Sequence, residues 1–224
     1  TDPSILEEHT HTGISSLRNN RRAVLVSSCD DVDLLSCTVD STSDLVEEQW
    51  NPHSLWGIPC DPGAARVFGG MGLVSNLRRW NAGAQQWVYY AVYHGVDMYG
   101  ACLVGDGFEL FVPTSGNIGY SYLRSPIEGD QWISLPRGAG NDMTLIGNPF
   151  GTDVPWSQCS VTNGIETKSL LSAISSNWIE KIQEWDGNSW EDVTDFGSGY
   201  MGFKEAYRVF SNVDKLALIV PDLN

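Results

Sequence analysis

The chain has 224 residues, with 28 acidic side chains against 13 basic ones and a formal net charge of −15. Nucleic-acid binding needs cations to neutralise phosphates, and no basic stripe is present, so that class is excluded as a reading; the acidic coat also disfavours anionic membranes. Hydrophobic residues at 42% and charged residues at 18% suit one large or two small domains that bury cores without disulfides or metals, and no apolar run approaches the roughly 18 residues of a membrane helix.

In chain order, residues 1–22 read as a polar arm in which Asp2 and Pro3 could start a helical turn. The opening "TDPSILEE" has no initiator Met, which fits a cleaved, secreted chain and equally a trimmed one. "AVLVSSC" (23–29) is an apolar, β-branched run and reads as a strand, with "DLLSCTVD" (33–40) as its partner. "STSDLVEEQW" (41–50) carries a Ser-x-x-Asp capping pattern for one or two helical turns.

From residue 51 the chain repeats itself. The first copy carries "HSLWGIPCDP", "NLRRWNAGAQQWVYY", "VGDGFELFVP" and "IGYSYLRSP". The second carries "MTLIGNPFGT", "KIQEWDGNSWEDV", "GSGYMGFKEAYRVF" and "KLALIVP" in the same order. Each copy has an apolar strand ending in Gly-x-Pro, a tryptophan hairpin, a Gly-aromatic stretch and a closing β-branched run. Length differences fall in the connections, as expected of loops in related units. The Gly187 turn in "WDGNSW" (185–190) is hairpin chemistry, and "WNAGAQQW" (80–87) is its longer equivalent. "QWISLP" (131–136) alternates like an edge or half-buried strand ended by Pro136. One short helix is expected near 167–180, capped by Thr167, with Leu170, Leu171, Ile174 and Trp178 at helical spacing.

These patterns predict a mainly β fold: two related antiparallel β subdomains forming a diverged internal repeat with a pseudo-twofold relation. The expected organisation is an N-terminal arm and strand segment over 1–50, β repeat 1 over 51–126 and β repeat 2 over 127–224. "MTLIGNPF", "VPWS", "VTNG", "SLLSAISSNWI", "IQEWDGNSWEDV", "GFKEAYRVF" and "LALIVP" are similar to repeat modules of secreted and cell-surface bacterial proteins. Those modules open on a Gly-Trp-Asn-Leu-Ile-Gly-x-Pro-like strand. The resemblance covers residues 131–221 best and 51–125 poorly, and leaves 1–50 outside; Met143 and Thr144 replace the opening Trp-Asn, and Gly202 with Phe203 stands in for the closing Gly-Tyr-Trp. It implies a non-catalytic extracellular module and brings no catalytic residue.

Trp80, Trp87, Trp185 and Trp190 flank the two hairpin turns. Flat indoles suit the apolar face of a sugar, with Asp186, Asn188 and Gln86 as hydroxyl partners. The competing reading is a pair of cross-strand core contacts, which a shared fold would repeat in both copies. His9 and His11 with Glu7, and the acids Asp30, Asp31, Asp33, Asp40 and Asp44, are weak candidates for a metal, and no metal site or cofactor is expected. No nucleophile elbow, P-loop or distinguished carboxylate pair is visible. Cys29, Cys37, Cys60, Cys102 and Cys159 contain no C-x-x-C pair, and the 29/37 spacing leaves a disulfide or buried thiols open. The expected function is a non-catalytic secreted structural or assembly protein, a subunit of an extracellular filament, sheath or surface layer. Its expected partner is itself, through the N-terminal arm, without nucleic acid or membrane insertion. The alternative is a carbohydrate-binding module that holds glycans on the hairpin tryptophans.

Overall fold

The computed structural model describes residues 35–38, 48–59, 61–68, 77–90, 92–93, 96–97, 100–111, 121–125, 127–137 and 142–223. The first half contains β1 (Leu35–Thr38), β2 (Trp50–Ser54), β3 (Ile58–Pro59), the single helical turn α1 (Ala64–Val67), β4 (Leu77–Asn81), β5 (Gln86–Tyr89), β6 (Val92–Tyr93), β7 (Val96–Asp97), β8 (Gly107–Phe111) and β9 (Ser121–Ser125). The second half contains β10 (Gln131–Leu135), β11 (Met143–Gly147), β12 (Val154–Pro155), β13 (Ser160–Thr162), β14 (Thr167–Ser169), α2 (Leu170–Ser175), β15 (Ile179–Trp185), β16 (Trp190–Asp192), β17 (Tyr200–Met201), β18 (Ala206–Ser211) and β19 (Leu216–Val220). The protein is mainly β, and every strand pairing among the described residues is antiparallel.

The duplication is visible in the topology. One four-stranded sheet runs β2-β8-β4-β5 and the other β11-β18-β15-β16, the same order of equivalent strands. The registers agree residue by residue: Leu77 faces Leu110 as Ile182 faces Val209, and Trp80 faces Trp87 as Trp185 faces Trp190. Even the hydrogen bond that closes each hairpin recurs, Tyr90 N donating to Leu77 O and Val193 N to Ile182 O, both at 2.8 Å. In each copy the closing strand pairs with the strand preceding the first sheet strand, β9 with β1 and β19 with β10. The copies part company at the connections: β13 takes the place beside β19 that β3 holds beside β9, and the second copy adds β14 to its outer edge and then α2.

Alternation builds the cores. In β8, "GFELF", Phe108 and Leu110 point one way and Glu109 the other; in β18, "AYRVFS", Tyr207 and Val209 point inward and Arg208 outward. One core gathers Leu55, Trp56, Phe68, Leu77, Phe108 and Leu110. The second, larger core gathers Ile146, Phe150, Trp156, Leu170, Ile182 and Tyr207 among others. The opposite faces of the two sheets meet each other.

That meeting explains the glycine of "LIGNPF". Gly147 stands in the sheet where copy one has Ser54, since Gly147 pairs with Ala206 and Ser54 with Gly107. The two positions touch across the pseudo-twofold: Ser54 N donates to Lys204 O at 2.9 Å, and Gly147 N to Gly105 O at 3.0 Å. A Cβ on Gly147 would overlap Ser54 Cβ and lie 2.9 Å from Asp106 O. The glycine of the matching phrase "LWGIPC", Gly57, is therefore not its structural equivalent; it lies three residues beyond Ser54.

Three local expectations change. The helix near 167–180 is present but confined to Leu170–Ser175, because Asn163 Oδ1 accepts from the backbone N–H groups of Ile165 and Glu166 and folds Thr167–Ser169 back as a strand on β13. Ser169, not Thr167, caps it by accepting from Ser172 N at 3.2 Å. Asn177, at φ 60°, ends it. The strand within 33–40 exists, but it pairs with β9, and 23–29 lies outside the described residues. Trp50, the last residue of the expected 41–50 helical segment, begins β2 instead.

Candidate functional site

The hairpin tryptophans sit where the two sheets face each other. The turn brings each pair together across its hairpin, edge to face, with centroids 5.2 Å apart for Trp80 and Trp87 and 5.6 Å apart for Trp185 and Trp190. All four are half-buried. Each hairpin also reaches the other copy, at its first sheet strand or the residue just before it. Trp80 Nε1 donates to Met143 O at 2.9 Å, and Gln49 Nε2 donates to Gly187 O at 2.8 Å. Trp185 Nε1, the equivalent donor, is buried and has no acceptor among the described residues. Asp186 is committed to its own turn: its Oδ1 accepts from Asn188 N and Ser189 N at 2.7 Å each. Those bonds, Ser189's first, hold its carboxyl below the usual carboxylate range. Gln86 and Asn188 are exposed on the two hairpins, with Asn188 in the second turn.

Sequence reasoning missed the charged centre of this contact. Glu109, its side chain 2% exposed, accepts from Arg78 Nε at 2.7 Å and lies 3.5 Å from Arg208 Nη2. Arg208 is the structural equivalent of Glu109 in the other copy. Burial pushes the Glu109 carboxyl up from its ordinary value against the pull of Arg78 and then Arg208, and burial lowers Arg208. The guanidinium of Arg78 lies 4.0 Å from the Trp50 ring centroid and 4.1 Å from that of Trp87, and Arg208 lies 4.1 Å from Trp190. Cations thus occupy ring faces of Trp87 and Trp190 that a sugar would use for stacking. The only signal in the sequence was the run "LRRW" facing "FELF" at strand alternation.

Elsewhere, a carboxylate pair lies at the rim of the larger core. The Tyr207 hydroxyl donates to Glu205 and accepts from Gly202 N at 2.7 Å; Glu184 is raised by burial first and by Glu205 second. The Tyr207 hydroxyl is raised chiefly by burial, so it holds Glu205 as a donor and does not ionise. Among the described residues no group of three His, Cys, Asp or Glu side chains is placed to hold a metal. His9, His11, Glu7 and the Asp30–Asp44 acids lie outside those residues. Cys102 and Cys159 are buried, one in each core, and burial pushes the Cys159 thiol up to about 12. The side chains of Cys29, Cys37 and Cys60 are outside the described residues. No described helix is long and apolar enough to cross a membrane.

A different surface feature stands out on β10. Among the described residues this strand pairs only with β19. Its sequence, "QWISL", contains no charge, no proline and no bulge, the devices that usually close an edge to further strands. Ile133 and Leu135 go into the core, while Trp132 is 57% exposed beside Ile219 and Ser134. Glu128 and Asp130 lie exposed before the strand and Arg137 lies after it. No protein-family model matches this chain, and no curated protein sequence or solved structure is significantly similar to it.

Proposed function

We propose that this chain is a non-catalytic structural protein of the cell surface or extracellular space, one that assembles with copies of itself through a sheet edge. The observation that carries this is the uncharged β10 edge, on which no described strand pairs, beside the exposed indole of Trp132. The hairpin tryptophans, the most visible candidates for a sugar platform, are largely engaged in packing one copy on the other. The acidic coat favours solubility of the subunit before assembly, and the resemblance of 131–221 to modules of surface proteins points the same way.

The test is sedimentation velocity together with negative-stain electron microscopy of the protein from its natural source. Filaments, tubes, sheets or concentration-dependent oligomers are expected. Dispersed monomers at every concentration would overturn the reading. A glycan panel read by tryptophan fluorescence, with Trp190→Ala as control, would then test the carbohydrate alternative.

A further inference from the structure

We infer that Asn163 is a self-modifying residue: the turn between β13 and β14 promotes attack of the Gly164 backbone nitrogen on the Asn163 side-chain amide, which becomes a succinimide and then aspartate or isoaspartate. This is independent of the self-assembly reading. The turn, "TNGIE" (162–166), holds the only Asn-Gly step in the chain.

The hydrogen bonds of the turn suit the reaction. Asn163 Oδ1 accepts from Ile165 N at 2.9 Å and from Glu166 N at 2.8 Å. Two backbone donors on one carbonyl oxygen make an oxyanion hole, which stabilises the charge that the oxygen gains as Cγ becomes tetrahedral. The nucleophile is the next nitrogen along the chain. Gly164 N donates to Thr162 Oγ1 at 3.1 Å, and that hydroxyl donates to Glu166 O at 2.9 Å. The hydroxyl orients and polarises the Gly164 N–H bond, and water at this exposed residue takes the proton. The bond from Gly164 N to Cγ forms, the bond from Cγ to Nδ2 breaks, and Nδ2 gains a proton and leaves as ammonia. Gly164 sits at φ 87°, and a Cβ there would meet nothing within 4 Å, so the ring closes without obstruction. Water then opens the ring at Cγ to give aspartate, or at the main-chain carbonyl carbon of residue 163 to give isoaspartate. Aspartate keeps both acceptor bonds and adds a negative charge beside Ile165, which is 96% exposed. Isoaspartate inserts an extra backbone carbon ahead of β14.

The hairpin at 185–190 has the same donors around a different head group. Asp186 Oδ1 accepts from Asn188 N and Ser189 N, and Gly187 follows it. Those bonds favour the ionised carboxylate, whose charge resists a nucleophile. The Asn163 amide is neutral and carries a leaving group.

The test compares the full chain incubated folded at neutral pH with the same chain unfolded in urea. Peptide mass spectrometry follows the exchange of amide for carboxylate at residue 163. The folded chain is expected to convert about tenfold faster than the unfolded one, because only the folded turn supplies the two donors. A folded chain that converts no faster than the unfolded chain would overturn the inference, whatever its state of assembly. Thr162→Val, checked for folding by circular dichroism, is expected to slow the folded reaction and leave the unfolded rate unchanged. A folded Thr162→Val chain that converts at the wild-type rate would overturn the part given to the hydroxyl.

Discussion

Among the described residues, copy two finishes its core with side chains of its own, including Ile174, Trp178, Val193 and Phe196 packed around the buried set, whereas copy one takes one from its neighbour. Phe203, from copy two, packs on the core of copy one and meets Trp56 edge to face at 4.9 Å. Gly57 N, in copy one, donates to Pro149 O of copy two at 3.1 Å. Copy one also buries groups that cost more to bury. His53 occupies the position of Ile146, and Glu109 the position of Arg208, which keeps more contact with water. Among the described residues, then, one strand order holds two cores that are completed differently.

The largest test of that inequality uses true equivalents, Phe108 and Tyr207, both fully buried. Truncating either to Ala is expected to cost about 4 kcal/mol. The consequences should differ. Tyr207→Ala should remove the support under both copies and give one cooperative loss. Phe108→Ala should expose copy one to hydrogen exchange while copy two stays protected. Equal exposure of both copies in both variants would remove the inequality.

A smaller effect separates the copies by pH. Burial, and then Lys204, lowers the His53 pKa from 6.5 to about 3. The folded state therefore binds its proton less readily than the unfolded state. The stability that neutral His53 allows is full above the unfolded pKa and is lost as pH falls from 6.5 towards 3, at roughly 1.4 kcal/mol per unit. Chemical denaturation at pH 7 and pH 5 should show about 2 kcal/mol lost in wild type. His53→Ile, which copies the residue at 146, should flatten most of that slope, and an unchanged slope would assign it to other groups.

The smallest test compares the hairpins. Trp80 Nε1 has an acceptor in Met143 O and Trp185 Nε1 has none among the described residues. Trp80→Phe should therefore cost about 1 kcal/mol more than Trp185→Phe. Denaturation midpoints read this directly, and equal losses would show that the bond adds nothing to the clasp.

Much of the fold was legible because it depends on local pattern. The two hairpins, the alternation in "QWISL" and the β-branched closing strands announced themselves through turn residues and period. The Gly-x-Pro phrase signalled the duplication but misaligned it. The glycine at 147 answers a contact with Ser54 that lies far away in sequence, so no local rule could register it. The helix bounds failed for a similar reason: 167–169 can be helix or strand, and the Asn163 turn decides. The tryptophans were found, but their setting was not. Whether an indole faces water or a partner sheet depends on which faces of two sheets meet, and Arg78, Glu109 and Arg208 come together only then.

The contact between Glu109 and Arg208 has a consequence for ancestry. Positions related by a twofold meet their own likeness, so a pair of identical chains would have to set acid against acid or base against base there. Joining both halves in one polypeptide lifts that restriction. Each side can then mutate alone, and the sites nearest the axis are the first to gain from it: an acid facing a base, a serine facing a glycine, a glycine facing an alanine. Broken symmetry at the centre is what covalent tandem linkage makes possible, and it leaves the rest of the pattern free to stay alike.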